Sequence, residues 1–389
     1  MPGRGKEEDL TLGQAALLEV SGALERQIAL GLESEGQQVQ CLPTWVPCRS
    51  VGVSGRALVV DLGGTSVRAA VVSVSSKGAV VEQGPVSAAL PVRRGQPLAL
   101  DTFLEVQVSL VKALGPPQGL PLGYCFSYPA QSTRDGDARL LRWTKELWVP
   151  DVEGRLVGRM LAQALERGGV RCGPVLVLND TVASLMASLV HQNMDGHIGL
   201  IVGTGTNMAV GLPVSAAAKL GDANNAALVP FNLESGNFHP PGLTDADDAL
   251  DLASADVGRQ RFEKAVSGVY LGRLMMALNP DCGLGPDEGA AGVVRLAQDG
   301  DALARAVLNR SADLVAAGLV GTARVLKAVS SQPVEHIGVM AEGSVFWKAP
   351  GYAQRVEQTL ADLSPVRISV LKMASANLIG AAMGALGAD

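Results

Sequence analysis

The chain has 389 residues, 47% of them hydrophobic and 18% charged, enough apolar material at this length to bury roughly three-quarters of the unfolded surface, so intrinsic disorder is excluded. Its net charge of -6, with both signs scattered and no basic stripe, excludes nucleic acid as a partner. Glycine is the outlier: 46 residues, about 12% of the chain against a typical ~7%, which puts weight on backbone turns.

The length suggests two or three domains. Leu12 to Leu30 is interrupted by Glu19, Glu25 and Arg26, so it reads as neither a signal peptide nor a membrane span, and no membrane partner is expected. Leu17, Val20, Leu24 and Ile28 recur at spacings of three and four, which predicts one apolar face of a helix. The five cysteines, Cys41, Cys48, Cys125, Cys172 and Cys282, are odd in number and form no CxxC pair. They point to a reducing compartment, with a cytoplasmic location expected.

Residues 57–61, Ala-Leu-Val-Val-Asp, form a β-type apolar run ending in an acid. Gly63-Gly64-Thr65-Ser66 then forces a turn before a second run from Ala69 to Val74. Strand, glycine turn, strand predicts a hairpin with backbone N–H groups at its tip. The pattern returns at Ile198–Val202, Gly203-Thr204-Gly205-Thr206-Asn207 and Met208–Val210, which implies two related halves. A third glycine turn, Glu342-Gly343-Ser344, follows the apolar stretch 337–341. Helical patterns are predicted over 100–114, 156–166, 181–191, 248–278, 302–329 and 352–360, with loops over 115–122 and 279–289. Alternating strands and helices indicate an α/β fold.

Neither glycine turn is a P-loop, because the only Gly-Lys pair is Gly5-Lys6, and neither completes GxGxxG, since Met208 takes the third glycine position. Each is open to two readings, a plain hairpin or a phosphate cradle. Asp180 follows the apolar run 175–178 and opens the next helix, where a carboxylate can act as a general base or cap that helix. His191 and His197 do not share a helix face and adjoin no ligand cluster, so no metal role is read there.

The ordered motifs carry a resemblance. VDLGGTSVR (60–68), CLPTWV (41–46), FSYPAQ (126–131), WTK (143–145), LNDTVASL (178–185), IVGTGTNMAV (201–210), NLESGNF (232–238), FEKAVSGVYLG (262–272) and EGS (342–344) together resemble eukaryotic-type hexokinases of the actin-like ATPase superfamily. The resemblance runs over about residues 41–385. It implies a two-domain actin-like ATPase (ribonuclease H-like) α/β fold with a hinged cleft. The small domain would be 56–179 plus the C-terminal helix 377–389 and the large domain 180–376, with the N-terminal helical segment 1–55 packed on the latter. It further implies that ATP and Mg²⁺ are used to phosphorylate a hexose, glucose by expectation, at the C6 hydroxyl. Asp180 would be the base and Lys145 a second catalytic group. Ser127, Thr144, Lys145, Asn179, Asp180, Asn207 and Glu234 would contact the sugar. Asp61 would hold Mg²⁺ through water, and Gly63, Gly64, Thr65, Ser66, Thr204, Gly205, Thr206, Gly343 and Ser344 would line the nucleotide site.

The chain departs from that pattern in places. Ser66 replaces an Asn, and Ser235 and Asn237 change the segment after Glu234. Ala374-Ser375-Ala376-Asn377 stands where a glycine-serine turn for the nucleotide is usual. Arg273 occupies a position expected to be acidic and, on the resemblance, substrate-facing, so an acceptor has become a fixed donor. These departures keep two alternatives open: a non-catalytic sugar sensor on the same scaffold, or a kinase for a different hexose or amino sugar. The subunit number, monomer or homodimer, is not set by the sequence.

Overall fold

The computed structural model of the chain describes residues 6–49, 52–93, 95–144 and 147–388. Helices α1 (Lys6–Asp9) and α2 (Gln14–Glu33) precede a short strand, β1 (Leu42–Pro43). The first hairpin is β2 (Gly55–Leu62) and β3 (Ser66–Ser75), extended by β4 (Gly78–Ala89). Next come α3 (Leu100–Leu114), β5 (Leu120–Phe126), the ribbon β6 (Ala130–Ser132) and β7 (Ala138–Leu140), α4 (Val157–Arg167), β8 (Cys172–Leu178) and α5 (Asp180–Ser188). The second hairpin is β9 (Gly196–Val202) and β10 (Thr206–Pro213), followed by β11 (Leu228–Asn232). Helices α6 (Asp245–Leu252), α7 (Arg261–Val266), α8 (Gly268–Leu278), α9 (Ala290–Gln298) and α10 (Ala302–Val329) succeed it. Last are β12 (His336–Glu342), α11 (Ser344–Lys348), α12 (Tyr352–Leu363), β13 (Arg367–Leu371) and α13 (Ala376–Gly387).

The chain forms two compact units. One comprises Leu42–Asn193, Ala227–Asn232 and Met373–Asp389. Its sheet runs β4-β3-β2-β5-β8, with β2, β5 and β8 parallel and the β2–β3 and β3–β4 pairs antiparallel. Side chains alternate across a strand, and here Leu58, Val60 and Leu62 join Phe103, Leu110 and Leu161 in one core under α3 and α4. The opposite face of β2 and β5 is covered by α13, which also packs along α5. Asp61 and Cys125 are paired in register on that opposite face, so a carboxylate ends up buried at 5% exposure next to a thiol.

The other unit comprises Met1–Cys41, Met194–Ala226 and Leu233–Lys372. Within it β10 pairs antiparallel with β9, which continues parallel to β12 and then β13. The order hairpin, parallel strand, parallel strand is therefore the same in both units, the internal relation expected from the repeated glycine turns. The predicted apolar face of α2 is present: Leu17, Val20, Leu24 and Ile28 are all buried, and α2 packs along α10.

The expected helix over 248–278 is three helices, α6, α7 and α8. Two backbone positions break it: Gln260 adopts φ 55° before α7, and Ser267 is extended before α8. The polar side chains explain the reversal. Asp251 accepts from the Gly258 N–H at 2.8 Å, from Arg261 at 3.0 Å and from Lys264 at 2.7 Å, folding α7 back against the end of α6. Strand β4 and helix α9 carry no clear period in the sequence and were not anticipated. The expected loop over 115–122 gives way to β5 from Leu120 onward.

Candidate functional site

In the first unit the chemistry collects at the open end of the central strands. Asp61 is the next-to-last residue of β2, and Arg68, its register partner on β3, donates to Asp61 Oδ2 through both Nε, at 3.1 Å, and Nη2. Oδ2 is thereby fixed by a guanidinium. Burial, followed by the nearby charges of Asp61 and Asp180, pushes the Cys125 thiol well above its usual range, so it stays protonated and hydrogen-bonds to Asp61. The Gly63-Gly64 turn is held from behind. The Tyr128 hydroxyl donates to the Gly63 carbonyl at 3.0 Å and to that of Gly64 at 3.4 Å. Thr65 and Ser66 stand exposed at the tip.

Asn179 and Asp180 sit where β8 passes into α5. Asn179 is the N-cap, its Oδ1 accepting from the Thr181 N–H at 2.9 Å. Asp180 is the first helical residue, and its Oδ1 accepts from the same N–H at 2.8 Å and from Thr181 Oγ1 at 3.3 Å. The helix-start reading of Asp180 is therefore visible. One carboxylate oxygen serves the helix start, while Oδ2 has no hydrogen-bond partner among the described residues. Ser127 is buried at 7% exposure and its N–H donates to Leu62 O at 3.3 Å. Trp143 packs edge-on to Phe103 and Tyr128 and donates Nε1 to Val149 O at 2.9 Å, so it is a packing residue with Thr144 half-buried beside it. Lys145 lies outside the described residues.

In the second unit three loops meet. Gly203 N–H bonds to Gly205 O at 2.9 Å inside the β9–β10 turn. On its carbonyl side the turn is held by the start of α8, with Gly268 N–H donating to Gly203 O at 2.7 Å and Val269 N–H to Thr204 O at 3.3 Å. The turn from β12 into α11 lies against it: a Cβ on Gly343, which adopts φ 116°, would stand 2.1 Å from Val202 O, so only glycine fits. On the N–H side a carboxylate intervenes. Glu263 Oε2 accepts from Thr206 N–H at 3.0 Å, and a Cβ on Gly205 would come within 2.6 Å of that oxygen. Asn207 Oδ1 accepts from Met208 N–H at 2.8 Å and Ser235 N–H at 3.1 Å, tying the strand to the segment where Glu234 adopts φ 53°.

Thus Asn207, Glu234, Thr204, Gly205, Thr206, Gly343 and Ser344 share one neighbourhood in their unit. Arg273 is exposed, with its guanidinium carbon 5.5 Å from the Tyr270 ring centroid. Glu263 is the charged side chain of this stretch that reaches the hairpin, and the sequence reading passed over it although it stands inside the FEKAVSG segment. The signal available was an acid flanked by cations, Arg261 and Lys264, destined for the Asp251 ion pairs. At the start of α13, Ser375 is left-handed at φ 58°, and the Asn377 side chain accepts from Ser184 Oγ at 3.0 Å. That residue is committed to α5.

Among the described residues no three His, Cys, Asp or Glu side chains form a metal cage. A cation at Asp61 would rest on one carboxylate, phosphate oxygens and water, which is the usual Mg²⁺ arrangement and fits the residues present. No described helix is long and apolar enough to cross a membrane.

Comparison with known proteins gives this geometry a family. Two hexokinase family models match, over residues 4–190 and over 197–278 with 299–387. Human hexokinase-3 is 34% identical over 280 residues, 68% of this chain but 29% of that protein. Tobacco hexokinase-1 is 33% identical over 302 residues, 72% of this chain and 60% of that one. The matches thus span less than two-thirds of either relative's length. Among solved structures, a hexokinase from Schistosoma mansoni complexed with glucose has a TM-score of 0.78 at 24% identity, covering 98% of this chain and 97% of that one. A ROK family glucokinase from Streptomyces griseus, in complex with glucose and AMPPNP, has a TM-score of 0.54 at 18% identity, covering 84% of this chain and 98% of that one. The fold is accordingly that of the actin-like ATPases, and the chain belongs to the hexokinase family.

Proposed function

We propose that the protein transfers the γ-phosphoryl group of ATP to the C6 hydroxyl of a hexose, giving hexose 6-phosphate and ADP. The observation that carries this reading is the division of labour at the start of α5. Asn179 caps the helix and Asp180 Oδ1 reinforces the cap, so Asp180 Oδ2 can accept the hydroxyl proton as the oxygen attacks phosphorus. A carboxylate anchored through one oxygen is a positioned base.

The remaining roles follow from donor and acceptor type. Ser127, Thr144, Lys145, Asn179, Asn207 and Glu234 would bind sugar hydroxyls, and a polyol of the wrong configuration would leave some of them unpaired. Glu263 joins this set, because its carboxylate stands at the turn that carries Asn207. The N–H groups of the β2–β3 and β9–β10 tips and the Gly343-Ser344 turn would cradle phosphate oxygens, whose close approach needs glycine. Mg²⁺, when bound, would neutralise charge on the phosphate oxygens, with Asp61 holding it through water. Glucose is the proposed hexose, and free cysteines throughout suit the reducing cytoplasm proposed for it.

A rival reading, a hexose sensor without turnover, is favoured by one observation: Ala374-Ser375-Ala376-Asn377 replaces the family's usual glycine-serine turn, and Asn377 there is bound to Ser184. An ADP-coupled assay with glucose, mannose, fructose and glucosamine separates the two, run beside calorimetry of sugar binding. The kinase reading expects turnover with at least one sugar, reduced about 10³-fold in Asp180→Asn with sugar binding retained. Unchanged turnover in that variant would overturn the base assignment. Binding heat without turnover in the wild type would establish the sensor.

A further inference from the structure

We infer that the first unit holds an ordered water beside Asn179, which fixes the Asn179 amide for a sugar; the consequence for the sugar rests on the reading proposed above. A cavity of about 20 Å³ lies where β1, β11, the β6–β7 ribbon and the end of β8 come together, and all of its lining belongs to that unit. One water needs at least about 10–15 Å³, so the space suits a single molecule. Among the described residues no charged side chain lines it, which suits water rather than an ion. Arg134, in the β6–β7 turn, stacks on Trp45 at 4.1 Å from the ring centroid and so ties the ribbon to the segment that carries Thr44.

The lining supplies polar groups that the fold leaves unused. Thr44 is only 3% exposed. Its N–H donates to Pro230 O and its carbonyl accepts from Val46 N–H, both at 2.8 Å, yet its hydroxyl has no hydrogen-bond partner among the described residues. The unpaired hydroxyls of Ser21 and Ser267 are sealed off by their neighbours, whereas that of Thr44 is not, so it is left facing the cavity that the residue lines. Buried hydroxyls ordinarily find a partner. Ser132 Oγ and Asn179 Nδ2, of the same lining, are likewise unpaired among the described residues. Asn179 Oδ1 is spent on the Thr181 N–H, and the Tyr128 phenol, though it lines the cavity too, is spent on the glycine turn. Two hydroxyls that give or accept and one amide donor make three partners, within the two to four that a buried water takes. With Oδ1 fixed by the helix start and one N–H of Nδ2 on the water, the amide cannot swing, and its second N–H is held out for a sugar hydroxyl. Such preorganisation strengthens binding without a new contact.

The test is high-resolution crystallography of the full chain, for the wild type, Thr44→Val and Thr44→Ser, with calorimetry of glucose, mannose, fructose, glucosamine and ATP in parallel. The wild type should show one water within hydrogen-bond distance of Thr44 Oγ1 and Asn179 Nδ2. Thr44→Val keeps the side-chain shape without the hydroxyl, and it should lose the water and bind the preferred sugar about fivefold more weakly, with ATP binding unaltered. Thr44→Ser keeps the hydroxyl without the methyl, and it should keep both water and affinity. Ser132→Ala, at a half-buried position that burdens the fold less, should weaken sugar binding in the same direction by a smaller factor. No water in the wild type, or a loss in Thr44→Ser with none in Thr44→Val, would overturn the inference and make Thr44 a packing residue. Weaker sugar binding in Thr44→Val with the water still in place would overturn it as well. A wild type that holds the water but binds none of the sugars would establish the site while overturning both the sugar reading and the role given to the water.

Discussion

The two glycine hairpins share a sequence pattern and a place in their sheets, yet they are restrained in opposite ways. From outside the turn the β2–β3 tip is held through carbonyls, by the Tyr128 phenol and by Leu90 N–H on Thr65 O at 2.9 Å, and its hydroxyl residues stand exposed. The β9–β10 tip is clamped on both sides, by α8 on its carbonyls and by Glu263 on an N–H. Among the described residues no side chain binds an N–H of the first tip, while the second is set in advance by the helices around it. A shared turn motif supplies donors, but the packing behind the turn decides how rigidly they are presented.

Removing the clamp should break this contrast most severely. Glu263→Ala is expected to lower kcat/KM about a hundredfold, the scale associated with displacing positioned groups by an ångström, whereas Glu263→Gln, which keeps an acceptor for Thr206, should lose less. Equal losses in the two variants would mean that the charge matters and the hydrogen bond does not. A middle-sized effect is expected from acid. Burial raises the Asp251 carboxyl, but hydrogen bonds from Lys264 and Gly258 and the charges of Lys264 and Arg261 outweigh it and hold the group below the usual carboxylate range. Its stabilising contribution is therefore complete above pH ~4, the ordinary carboxylate value, and is lost as pH falls through the lower folded value. Because Asp251 anchors α7, hydrogen exchange should show β9–β10 loosening below pH 4 before β2–β3 does, and Asp251→Asn should abolish that order. Simultaneous loosening would detach the clamp from the ion pairs. The smallest change is expected from Tyr128→Phe. Losing the phenol should cost about 1 kcal/mol, a fall in Tm of roughly 2–4 °C, with turnover altered less than in Glu263→Ala.

Much of this organisation was legible beforehand because it is local. Alternating and continuous apolar runs marked β2, β3, β9 and β10, and the glycines between them marked the turns, since a tight reversal needs few residues and little context. The spacing of Leu17, Val20, Leu24 and Ile28 marked α2 for the same reason. Asp180 could be placed at a strand-to-helix junction, though not assigned between cap and base, because a carboxylate suits both. What escaped detection was non-local. Helices α6, α7 and α8 read as one helix because the break is imposed by Asp251 drawing Gly258, Arg261 and Lys264 to itself. Strand β4 is largely exposed, and its pairing with β3 supplies what its composition does not. Glu263 looked like an ordinary helical acid until its carboxylate was seen at Thr206.

Residue order therefore determined the α/β class and the paired hairpins, since each depends on periodicity or residue type over a few positions. Only the folded chain decided which charges are spent on structure and which are left over. Arg261, Lys264 and Arg273 are alike as letters, but burial beside Asp251 consumes the first two, while an exposed helix face leaves the third with its charge unpaired among the described residues.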